Sequence, residues 1–176
     1  MQTDRSDADP RASDAHGSQG RIGLCPHQGC NFRCTEFTSG NYIVLYPGEL
    51  EQARAAGLSI AHLKVIDEQY HGGARAVCEA SDRKSCDGGY KPLDCASYPL
   101  FPSVAAGDVR VTRFLRGTKC PLTPDNIVDH QEWVTEAWNR LIAENRSVLR
   151  WLRRVRLVGY EPAEGARVIP LAARRE

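Results

Sequence analysis

The chain has 176 residues, with 23 basic and 22 acidic side chains, a formal charge of +1 and seven cysteines. That length fits one domain, and the near-neutral balance excludes a strong global field for nucleic acid or a membrane surface. Leu, Ile, Val and Phe together number 37 of 176, about 21%, just above the roughly 20% at which a chain struggles to build a core. A core of that size calls for help from cross-links, metal or a partner.

No run approaches the roughly 18 apolar residues of a membrane span. Residues 1–20 carry Asp4, Asp7, Asp9 and Asp14 with no apolar stretch, so they read as a disordered tail and not as a secretory signal. The expected location is cytoplasmic, where thiols stay reduced. An odd number of cysteines also speaks against a disulfide framework, which leaves metal or cluster ligation as the stronger reading.

In chain order, Tyr42 to Tyr46 reads as a short strand closed by Pro47 and Gly48. Glu49 to Ala56 reads as a helix stopped by Gly57. Ser59 is placed to cap a short second helix, with Ile60, Leu63 and Ile66 at helical spacing. His71, Gly72 and Gly73 make a turn. Tyr98 to Val104 and Val109 to Phe114 suggest a hairpin around Gly107. Thr123, Pro124 and Asp125 open a helix expected to run from Pro124 to about Arg154, its stripe formed by Val134, Trp138, Leu141, Asn145, Val148, Leu152 and Val155. The stripe reads as a core-facing surface, with a dimer seam registered by Asn145 as the alternative. Arg156 to Tyr160 and Arg167 to Pro170 suggest a terminal hairpin.

The cysteines fall in two groups. Cys25, Cys30 and Cys34 lie within ten residues, with His27 between the first two and Gly23, Pro26, Gly29 and Asn31 supplying turns. That spacing is similar to the loop of plant-type ferredoxins, in which a fourth cluster ligand comes from far away, and it fits common zinc motifs less well. Cys78, Cys86, Cys95 and Cys120 are too widely spaced for one loop, so each thiol has to be delivered by its own turn. Seven cysteines and His27 make eight ligands, enough for two closed tetrahedral zinc sites; alternatively, four cysteines hold one iron–sulfur cluster and three are left over.

Together with Cys25, Cys30, Cys34, Gly73, Cys78 and Cys86, the block Lys91-Pro92-Leu93-Asp94-Cys95-Ala96-Ser97-Tyr98-Pro99-Leu100 resembles the YkgJ-type cysteine-cluster family, whose N-terminal run is CxxCxxxCC-like, over roughly residues 23–122. That family is described as zinc- or iron-chelating, and flagellin lysine N-methylases, which look like carriers of an iron–sulfur cluster, contain a similar cysteine pattern. The first gap is four residues instead of two, Thr35 replaces the paired final cysteine, and Lys91 stands where the family usually has Arg. His27 or Cys120 is left to stand in for the missing thiolate.

Other groups have plainer readings. His62, His71, Asp87 and Asp94 read first as structural or turn-forming side chains, with metal or outer-sphere roles as the sharper alternative; Glu36 and Glu79 read as solvated. Nucleotide-cradling glycine loops and the common hydrolase motifs are absent. Arg146, Arg150, Arg153, Arg154 and Arg156, with no acid between them, read as a solvated basic face or a docking patch for an acidic partner.

The expectation is therefore an α+β fold, small and irregular, with short β-hairpins and a long C-terminal helix around a metal centre. Residues 21–122 form its cysteine-cluster region, and residues 123–176 supply a helix and hairpin packed on it. The expected function is that of a cytosolic iron–sulfur protein with a redox or cluster-dependent catalytic role, the cluster most simply of the 4Fe-4S type. The alternatives are a zinc-stabilised binding module and a multinuclear iron or zinc metalloenzyme. A protein or small-molecule partner is compatible with all three, nucleic acid is not expected, and no residue is assigned as catalytic.

Overall fold

A computed structural model describes residues 42–82 and 85–168. The fold is α+β, with two three-stranded antiparallel sheets and a long helix in the C-terminal part. The first sheet has the order β1-β3-β2, where β1 is Ile43–Leu45, β2 is Leu63–Tyr70 and β3 is Gly73–Cys78. The second has the order β4-β5-β6, from Leu100–Ser103, Arg113–Gly117 and Tyr160–Pro162. Helix α1 spans Glu49–Ala55, α2 Leu93–Ser97, α3 Val128–Glu144 and α4 Arg146–Leu152.

Strand β1 explains how a thin apolar content suffices. Its residues are buried on both faces: Ile43 and Leu45 enter one hydrophobic cluster with Leu50, Ala53, Leu63 and Tyr90. Val44 and the following Tyr46 enter the other, with Phe101, Trp138 and Trp151. Side chains alternate across a strand, so one short strand serves two cores, and its unbroken apolar run is what a doubly buried strand requires.

Several expectations are corrected. The second helix is strand β2, because Leu63 pairs with Cys78 and Val65 with Ala76, while Ile66 is 49% exposed and belongs to no helical face. β-Branched Val65 and Ile66 suit a strand better than a helix. His71 and Gly72, both at positive φ (57° and 95°), close the β2–β3 hairpin, the two-residue turn that matches strand twist. The β4–β5 hairpin forms, but Ser103 pairs with Arg113 and Leu100 with Arg116, so the second strand lies further along and Val109 sits exposed in the loop.

The long helix is interrupted. Pro124–Asn126 form a 3-10 turn capped by Thr123, and α3 ends before Asn145, whose Oδ1 accepts from Ser147 N at 3.0 Å and caps α4. Asn145 Nδ2 donates to Pro47 O at 3.3 Å. The stripe is buried within the chain, with Val134 and Val148 0% exposed and Trp138 1%, so Asn145 sets a bend and not a dimer register. The terminal hairpin is replaced by β6, which pairs with β5; residues 169–170 lie outside the described residues, as does the tail at 1–20.

Candidate metal centre

Three cysteines are carried by three different devices. Cys78 ends β3. Cys86 is buried in a 3-10 turn, Cys86–Gly88, where Cys86 and Asp87 both take positive φ, 54° and 53°, an uncommon conformation for side-chain-bearing residues. Asp87 braces that turn: its Oδ1 accepts from Asp82 N at 2.7 Å and its Oδ2 from Ser81 N at 2.9 Å. Those amides hold its carboxyl below the usual range, Asp82 N contributing most. Asp87 thus has the structural role read for it.

Cys95 sits in α2, a helix of five residues and so too short to be stable alone. Neighbours fix it from every side. Glu49, 1% exposed on α1, accepts from Leu93 N at 2.7 Å and Tyr90 OH at 2.8 Å through Oε1, and from Tyr46 N at 2.9 Å through Oε2. Asp94 accepts from Val44 N on β1 at 3.0 Å and from Tyr160 OH on β6 at 3.2 Å, which joins the two sheets through α2. At its C-terminal end, Ser97 O accepts from His130 Nε2 at 2.8 Å and Ser97 Oγ from Trp138 Nε1 at 2.7 Å. Pro92 precedes the helix as its N-cap, the Tyr98–Pro99 peptide bond is cis, and Gly117 leaves room for the Tyr98 ring. The sequence block around Cys95 is therefore a device for placing one short helix. Asp94 is not a turn-former, and neither Glu49 nor Tyr160 was visible as part of the site, because their partners lie 44 and 66 residues away.

Burial pushes the Cys86 thiol up, and Cys78 pushes it the same way. Burial also holds Cys95 well above the ordinary thiol range, with Asp94, Cys86 and Cys78 adding to the rise and Lys91 opposing it. Cys78 and Cys95 pack against the cluster of Ile43, Leu45 and Leu50, whereas Cys120, 6% exposed, belongs to that of Val44, Phe101 and Trp138. Sequence spacing set Cys120 beside the other three; the fold places it in a different core from Cys78 and Cys95.

His62 borders the same place. Its carbonyl accepts from Glu79 N at 2.7 Å, directly after Cys78. A Cβ on Gly89, three residues after Cys86, would stand 3.0 Å from His62 Cε1 and Nδ1. The side chain is 7% exposed and its Nε2 is buried without a hydrogen-bond partner. Burial holds its imidazole below the ordinary range. His71, by contrast, is an exposed turn residue against the Tyr70 ring, and Glu79 is exposed beside Lys64 Nζ at 3.5 Å.

Among the described residues, no three Cys, His, Asp or Glu side chains stand close enough together to hold a metal ion. Cys25, His27, Cys30, Cys34, Thr35 and Glu36 lie outside the described residues. Thiols and imidazoles are donors that suit a thiophilic metal. Among the described residues no helix is long and apolar enough to cross a membrane. No protein-family model, curated protein or solved structure matches the chain.

Proposed function

We propose that the protein carries a thiolate-ligated metal centre, an iron–sulfur cluster in the first reading, with redox or cluster-dependent chemistry in the cytoplasm. What supports this reading is that Cys78 stands at a strand end, Cys86 in a left-handed turn and Cys95 on a pinned helix, each thiol set by a device of its own. In this reading Cys25, Cys30 and Cys34 would supply further ligands, and the resemblance to the YkgJ-type family points the same way. A cluster held so would pass single electrons, or bind substrate if one iron is left open.

A zinc-stabilised module is the second reading, favoured by the unpaired Nε2 of His62, since three thiolates and an imidazole are a common zinc set. Purification under anaerobic conditions separates the two. Brown protein with broad visible absorption and acid-labile sulfide is expected. Colourless protein with zinc, at about two ions per chain if all the donors are used, would overturn the iron–sulfur reading. Cys34→Ser and Cys86→Ser should each abolish metal retention; unchanged metal content in both would show that these thiols are only packed.

A further inference from the structure

The β4–β5 hairpin and the chain from Leu152 to Tyr160 enclose a cavity of about 470 Å³, open to solvent. Sites for small molecules usually fall between roughly 300 and 1,000 Å³ and combine apolar walls with a few polar groups. Here Phe101, Leu115, Leu152 and Leu157 contribute the walls, Arg153 and Arg156 the cations, and no Asp or Glu lines it. Both arginines are exposed and form no ion pair among the described residues.

Both arginines are tied to the fold, Arg153 through its guanidinium and Arg156 through its backbone. Arg153 Nη2 donates to Asp108 O at 2.5 Å, and the carbonyl of Arg156 accepts from Tyr42 OH at 3.0 Å and Tyr70 OH at 2.9 Å. A guanidinium held in place loses little freedom when it grips a carboxylate with two parallel N–H groups. We infer that this cavity binds a soluble amphipathic anion, a carboxylate with an apolar body, its head on Arg153 and Arg156 and its body against Phe101 and Leu115. Tyr160 lines the same cavity while its hydroxyl reaches Asp94, the neighbour of Cys95. An occupant would therefore touch the side chain that helps to hold α2. The inference does not depend on which metal, if any, the cysteines bind.

The test uses the full chain and 1-anilinonaphthalene-8-sulfonate, an aromatic anion whose emission rises on leaving water. One probe should bind per chain, and decanoate, below its micelle concentration, should displace it at least about tenfold better than decanol or inorganic phosphate. Replacing both arginines (Arg153→Gln with Arg156→Gln) should weaken decanoate about tenfold or more, the scale of lost charge-assisted hydrogen bonds. Ala106→Trp, at an exposed lining position, should block probe and decanoate together. Equal competition by decanol, an unchanged affinity in the arginine variant, or probe binding untouched by Ala106→Trp would each overturn the proposal. Capture by anionic lipid vesicles without displacement by decanoate would overturn the soluble-ligand assignment as well.

Discussion

Glu49 shows how one residue ties stability to pH. Burial raises its carboxyl from 4.5 to about 7, against the pull of three donated hydrogen bonds, Leu93 N first among them. A raised carboxyl binds its proton more tightly when folded, so its contribution is complete below the unfolded value of 4.5 and is lost as pH rises through about 7. Chemical unfolding from pH 4.5 to 8 should show the wild type losing on the order of 3 kcal/mol relative to Glu49→Gln, whose amide does not titrate. A parallel pair of curves would contradict this. Asp94, pushed up to about 6 by burial, acts with the same sign. His130 opposes both: burial lowers its imidazole, so its contribution falls as the medium becomes acidic. Glycine positions speak at the same scale. A Cβ on Gly73 would collide with Leu45 O and Trp151 Nε1, and Gly73→Ala should cost roughly 1–3 kcal/mol of unfolding free energy by overpacking. Gly57→Ala, with open space around it but φ at +72°, should cost about 1 kcal/mol from backbone strain alone.

At the level of elements, local signals were read well where they were self-contained. The Pro-Gly stop after β1, the Gly57 stop after α1 and the capping run at Thr123 are each written within a few residues, and each is observed. The β2 strand was misread because three apolar residues at spacing three imitate a helix, and only pairing with β3 decides between the two. The division of the long helix was hidden for a related reason. Asn145 continues the stripe in register, and its choice to cap α4 depends on Pro47, 98 residues earlier in the chain. Asn145→Ala should remove both the cap and that tie, costing about 1 kcal/mol as read by the thermal midpoint. No change in stability would mean that the bend is set by packing of Val148 and Leu149 alone.

For the molecule as a whole, the sequence located the cysteines but could not group them. Spacing in one dimension ranked Cys120 with Cys78, Cys86 and Cys95; the fold puts it in the other core. The buried carboxylates that hold Cys95 carry no local signature at all, because their meaning lies in contacts between α1, α2 and the two sheets. The basic face is exposed as expected from its composition, with Arg150, Arg153 and Arg154 all at the surface. If it docks an acidic partner, neutralising these three should weaken capture most at low salt, where screening is least; equal capture would leave a solvated face.

The double tether of α2 has a consequence for biogenesis. Many small metal-binding domains are unfolded until the ion arrives, because nothing else fixes their ligands. Here Glu49, Asp94 and Ser97 already hold the short helix that bears Cys95. The helix therefore does not wait on a metal to take its place, and chelator-treated protein should keep its circular dichroism and a single cooperative melt. Folding and any later metal binding would then be separate events, each open to measurement without the other.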